Sequence, residues 1–143
     1  MIFVVMVKGV NNMGYCMQMI ESTANITKDN ALKIMDFLPK YIYKNAPNWK
    51  WIDIKHLCEY CKINNFIEVM YELRYEVYEE NGVYKIDCFY GEKLGDDFDI
   101  FVLLAPYINN GYIEMVGEDG DRWRWIFKDG KCREKFATRR HVN

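Results

Sequence analysis

Two Asp-Gly pairs, Asp119-Gly120 and Asp129-Gly130, sit inside the stretch YIEMVGEDGDRWRWIFKDGKC at residues 112–132. Asp-Gly takes up positive φ at little cost, and tight hairpin turns need it. The flanking residues alternate between apolar and charged, as in strands with one buried face. The spacing therefore predicts a three-stranded antiparallel meander near the C-terminus. A two-residue loop at Asp119-Gly120 would set Glu114 opposite Trp125 on the aromatic face. A three-residue loop of Asp119, Gly120 and Asp121 pairs Glu118 with Arg122 and gathers Ile113 and Met115 beside Trp123, Trp125 and Phe127. The second register is the expectation, because it groups the apolar side chains and matches opposite charges.

Upstream, Thr27 is placed to cap a helix whose Ala31, Ile34, Met35 and Leu38 share one face, with Pro39 closing or kinking its end. Asp53 caps a second helix with Leu57, Cys58 and Cys61 on one side. Asn65, followed by Glu68, opens a third. Around Arg74 the period changes from helical to alternating. Asn81-Gly82 then turns a hairpin with Glu80 opposite Val83, Val77 opposite Ile86 and Tyr75 opposite Cys88, and Tyr75, Val77, Tyr84, Ile86, Cys88 and Tyr90 facing the core. Asp96 caps an almost wholly apolar helix to about Ala105, expected to be the most buried of the helices. The predicted class is α+β: a mostly antiparallel sheet with helices on one face, built on a ferredoxin-like βαββαβ core and elaborated by the C-terminal meander.

A chain of 143 residues with 50% hydrophobic residues is expected to form one domain over residues 1–143. Residues 1–12 read as an apolar strand or as an N-terminal extension ahead of Met13. The net charge of −2 supplies no global basic field for nucleic acid or membrane. No apolar run is long enough to span a bilayer, and five cysteines are too few and too scattered for a disulfide framework. These features predict a cytoplasmic protein without a membrane partner.

HLCEYC, with His56, Cys58 and Cys61, is the stretch nearest to a metal motif. On a helix, however, His56 points away from the cysteine face, and zinc wants four ligands. GEDGD (Gly117 to Asp121) lacks the alternate-position ligands of a calcium loop, and GEKLG (Gly91 to Gly95) lacks the Lys-Ser/Thr ending of a phosphate loop. No metal, cofactor or catalytic residue is therefore expected. The candidate partner-binding residues are Arg122, Arg124, Arg133 and Lys135, which hairpin pairing places on the face opposite Trp123, Trp125 and Phe127, with Arg139 and Arg140 extending them. A solvated strand face balanced by Glu114 and Glu118 is the plainer reading. A contact surface for an acidic protein, or for nucleic acid phosphates, is the sharper one.

The segments MGYCM (Met13 to Met17), GEKLGDD (Gly91 to Asp97), APY (Ala105 to Tyr107) and residues 111–132, with their GEDG and WRW cores, resemble a family of small uncharacterised proteins. That family is carried by phages, prophages and plasmids of Firmicutes. The resemblance runs from Met13 to about Lys135 and is poor over residues 39–66. It brings no activity and no catalytic residues; it implies an accessory gene of a mobile element. The expected function is non-enzymatic protein–protein binding, with inhibition of a host defence system as one form of it. A small nucleic-acid-binding module using the basic strand face and a small enzyme of unidentified class are the alternatives.

Overall fold

In the computed structural model, which describes residues 14–137, three helices begin where a short polar side chain takes a free backbone N–H. Thr27 Oγ1 accepts from the Asn30 amide at 3.1 Å and opens α1 (Lys28–Asn45). Asp53 Oδ1 accepts from His56 at 3.1 Å before α2 (Ile54–Lys62). Asn65 Oδ1 accepts from Glu68 at 3.2 Å before α3 (Phe66–Glu72). Asp96 makes no such bond ahead of α4 (Asp97–Leu104); its carboxylate accepts from the Lys50 amide at 2.7 Å instead. Pro39 lies inside α1 rather than at its end. The apolar stripe continues past it to the buried Ile42, so packing outweighs the lost backbone bond. Expectations for residues 1–13, Arg139 and Arg140 fall outside the described residues.

The architecture is α+β, with strands β1 (Met17–Ser22), β2 (Asn25–Thr27), β3 (Tyr75–Glu80), β4 (Val83–Phe89), β5 (Gly111–Gly117), β6 (Arg122–Lys128) and β7 (Lys131–Phe136). They form two antiparallel sheets, ordered β1-β5-β6-β7 and β2-β4-β3, where one ferredoxin-like sheet was expected. The division happens at Thr23-Ala24. Thr23 donates its amide to the Tyr112 carbonyl at 2.8 Å, and its hydroxyl accepts from the Tyr112 amide at 2.9 Å. The next residue serves the other sheet: the Ala24 carbonyl accepts from the Ile86 amide at 3.1 Å. A single extended segment thus borders both sheets and changes allegiance within two residues. Among the described residues, no helix is long and apolar enough to cross a membrane.

Hairpin registers show where sequence patterning held and where it slipped. Asn81 and Gly82, at φ 54° and 77°, turn β3 into β4 with Glu80 opposite Val83 and Val77 opposite Ile86. A bulge then intervenes at Asp87, and Tyr75 faces Phe89 instead of Cys88. One extra residue reverses the parity of everything beyond it. Phe89 is consequently buried, while Tyr90, expected in the core, is exposed.

The loop between β5 and β6 consists of Glu118, Asp119 and Gly120, since the Gly117 amide donates to the Asp121 carbonyl at 2.8 Å. The loop has the expected three residues but begins one residue earlier, which shifts the register by two residues. Ile113 faces Trp125 and Met115 faces Trp123, and the side-chain faces are unchanged because parity is preserved. Glu118 does not meet Arg122. It accepts from the Cys16 amide through Oε1 at 2.7 Å and donates its own amide to the Cys16 carbonyl at 2.9 Å. Beside it, the Tyr15 hydroxyl bonds to Asp119 across Gly117, whose missing side chain leaves room for the ring.

The core is continuous between the sheets because α4 lies against both. Phe101 packs its ring 5.0 Å from Tyr75 on β3, and 5.3 Å and 5.5 Å from Trp125 and Phe127 on β6. The helix is less enclosed than its composition implied: Phe101 is buried, but Val102 next to it is 46% exposed. Its first residue makes the one buried ion pair among the described residues. Asp97 Oδ1 accepts from Arg74 Nη2 and from the Gly95 amide, and Oδ2 accepts from the Tyr75 hydroxyl, all at 2.8 Å. Arg74 Nη1 also donates to the Lys93 carbonyl at 2.6 Å. Burial pushes the Asp97 carboxyl up, while Arg74 and the two other donors oppose that shift.

Two substitutions probe this architecture. Trp125→Ala removes a fully buried ring and should cost about 3–5 kcal/mol of unfolding free energy in chemical denaturation. Arg74→Met leaves the Asp97 carboxylate without its cation and should cost about 3–5 kcal/mol. A loss below about 1 kcal/mol in either would show that the side chain is not part of the core described.

Candidate partner-binding face

In β6, with sequence RWRWIFK, alternate residues point to opposite sides. Trp123, Trp125 and Phe127 go inward and are buried, so Arg122, Arg124, Ile126 and Lys128 go outward. β7 repeats the scheme one strand further out. Its register sets Lys135 against Arg124, Arg133 against Ile126 and Lys131 against Lys128. Arg122, Arg124, Arg133 and Lys135, the four residues singled out in the sequence, therefore share one exposed face. Lys128 and Lys131, not among them, belong to it as well; their outward parity follows from the Asp129-Gly130 turn, with φ 53° and 79°.

The charges on this face are unevenly matched. Glu114 on β5, largely covered at 13% side-chain exposure, holds Arg124 Nε at 2.8 Å and lies 3.6 Å from Arg122 Nη1. The Arg124 guanidinium also lies over the Tyr112 ring, 3.9 Å from its centroid. Glu21 on β1 stands beside the Tyr112 hydroxyl and pushes its pKa up. Anions thus occupy the β1–β5 side and anchor the two β6 arginines. Glu118, expected to share this balancing role, is committed to Cys16. On β7, Lys131, Arg133 and Lys135 have no ion-pair partner among the described residues. Glu114, Arg122, Arg124 and Lys135 line an open depression of about 380 Å³, together with Ile126 and Phe136.

The inner side of β7 carries a residue that alternation alone did not mark. Glu134 points toward the core, and its Oε2 accepts from Trp125 Nε1 at 2.8 Å. Burial pushes its carboxyl up; the Trp125 bond lowers it and Asp99 raises it further. The clue in the sequence is a carboxylate in phase with Cys132 and Phe136 rather than with the cations. An inward-pointing charge on an edge strand discourages unwanted pairing.

The thiol-rich stretch is arranged differently. Cys16, Cys58, Cys61, Cys88 and Cys132 are free thiols, and burial pushes Cys61 and Cys132 up to about 12. His56 turns to its own cap, with Nδ1 3.0 Å from Asp53 Oδ2, while Cys58 and Cys61 line a groove between α1 and α2 with Leu32, Met35 and Pro39. Among the described residues, no group of three or more His, Cys, Asp and Glu side chains is placed to hold a metal ion. Comparison with protein-family models, curated proteins and solved structures gives no match.

Because the folded carboxyl of Glu134 is raised, the native state holds its proton more tightly than the unfolded chain does. Its contribution to stability is therefore fullest in acid and is lost as pH rises above about 4.3, the ordinary carboxylate value. Glu134→Gln keeps an acceptor for Trp125 and removes the titration. Relative to wild type, the variant should gain stability between pH 4 and pH 7 in paired denaturant titrations. A gap that does not change with pH would contradict the assignment.

Proposed function

We propose that the chain is an accessory protein of a phage, prophage or other mobile element and acts by binding another protein, with inhibition of a host defence system as the effect. The observation that carries the binding reading is the set of unpaired cations on β7. Arg133 and Lys135 stand exposed on a regular strand, fixed by pairing to β6, without anionic partners among the described residues. An acidic protein surface would supply those partners. The mobile-element setting rests on the resemblance of the MGYCM, GEKLGDD and GEDG…WRW segments.

A protein fits this face better than a nucleic acid does. Glu114 and Glu21 lie on the same sheet beside the arginines, and the chain carries a net charge of −2. A phosphate backbone crossing the sheet would meet both anions, whereas a protein can present acids to the β7 side alone. Binding through four phosphates would also make affinity fall with salt at a log–log slope of roughly −3 to −4.

The test is a tagged pull-down from host lysate, with and without nuclease, comparing wild type with Arg133→Glu/Lys135→Glu. The expected result is one protein retained at defined stoichiometry after nuclease treatment, and recovered about tenfold less by the variant. Capture that disappears with nuclease, or a steep salt slope on random duplex, would replace this reading with the nucleic-acid one.

A further inference from the structure

Among the described residues, β7 closes the four-stranded sheet at one edge, and the side it turns away from β6 is defined atom by atom. The Ala137 amide donates to the Arg122 carbonyl at 2.9 Å. Hydrogen-bonded pairs alternate along an antiparallel ladder, so 135/124, 133/126 and 131/128 are the bonded pairs. The backbone N–H and C=O groups of Cys132 and Glu134 consequently point away from β6, toward an edge at which none of the described strands pairs. Proteins blunt such edges with prolines, bulges or charge. β7 contains no proline, and its register with β6 runs without a bulge. Its protection is purely electrostatic: Lys131, Arg133 and Lys135 outward, Glu134 inward.

Electrostatic protection excludes some partners and admits others. Two antiparallel copies of β7 centred on Arg133 would set that arginine against itself and Lys131 against Lys135, a like-charge ladder that opposes pairing. An acidic strand would meet the reverse situation. The cations recur at every second residue, about 6.8 Å apart along the strand. Carboxylates at positions i, i+2 and i+4 of an added strand repeat at the same interval and fall on the same face. The intervening side chains would turn to the inner side, where Cys132 is half-buried and α4 packs.

We infer that β7 is a docking strand, which takes an extended partner segment of alternating acidic and apolar residues as a fifth, antiparallel strand of the sheet. The inference rests on the protein-binding reading above and adds its mode: main-chain bonds to Cys132 and Glu134 provide attachment, and Lys131, Arg133 and Lys135 select acids and set the register.

A capped peptide containing Glu-Val-Glu-Val-Glu, titrated into the full chain, tests this. In the docked strand the valines lie opposite Cys132 and Glu134, and their amides face β7; the glutamate amides face solvent. Methylating the valine nitrogens should weaken binding about tenfold or more, whereas methylating the glutamate nitrogens should change it less than about threefold. Amide exchange at Cys132 and Glu134 should slow on binding, and Arg133→Glu/Lys135→Glu should weaken binding about tenfold. Equal affinity of the two methylated series would mean attraction by charge without a strand and would overturn the inference. So would failure of the parent peptide to bind, or tighter binding of oligothymidylate of equal charge. If the peptide fails while Arg133→Glu/Lys135→Glu still abolishes protein capture, the docking strand falls and the binding face stands. If capture is also unaffected, both fall.

Discussion

A carboxylate withdrawn from water must recover its hydrogen bonds from the protein, and Asp97 does so from three separate places. Arg74 approaches from the junction of α3 and β3, Tyr75 from β3, and Gly95 from the connector ahead of α4. The first turn of α4 is thereby fastened to the three-stranded sheet. One turn later, Phe101 reaches the tryptophan-lined face of the four-stranded sheet. The ion pair and the aromatic contact together determine how the two sheets meet. The arrangement asks Arg74 to adopt φ 78°, an unfavourable left-handed conformation costing roughly 1–2 kcal/mol. Its backbone is held there by bonds to the Tyr71 carbonyl at 2.8 Å and from the Tyr90 amide at 3.1 Å. A well-packed apolar replacement of the pair could match its stability; an ion pair fixes direction as well as burial.

Much of the local structure was legible because its causes lie within a few residues. Thr27, Asp53 and Asn65 cap helices through their own side chains, and Asn81-Gly82 and Asp129-Gly130 reverse the chain through their own φ angles. The misreadings have their causes in packing and in pairing with other parts of the chain. Pro39 is tolerated because Ile42 is wanted in the core. Asp87 bulges, so Ile86 and Phe89 can both point inward. The division into two sheets follows from Thr23 and Ala24 bonding to Tyr112 and Ile86, far along the chain in each case. Nothing beside Arg74 in the sequence marks it for burial, since its partner is 23 residues away.

The candidate face was legible for a related reason. RWRW declares its two sides by alternation, and one tight turn carries that phase into β7. Which cations are neutralised could not be read in the same way. Glu114 was visible as a possible counter-charge, but its contact with both arginines of β6 depends on the two-residue shift in register at the Glu118–Gly120 loop. That same offset releases Glu118 to the Cys16 backbone. The outcome is a graded surface, compensated at the sheet's centre and, among the described residues, uncompensated at its edge.

The sheet-switching segment at Thr23-Ala24 also has a consequence in time. Met17 on β1 pairs with Gly117 on β5, a separation of 117 − 17 = 100 residues. At synthesis rates of about 5–20 residues per second, β1 leaves the ribosome roughly 5–20 s before its partner strand exists. β2 waits less, for Lys85 and its neighbours on β4. The nascent chain can therefore assemble the three-stranded sheet around α1, α2 and α3 first, with the β1 half of the same segment still unpaired. The four-stranded sheet is then the late-folding half of the molecule, and β7, the last described strand to emerge, completes it.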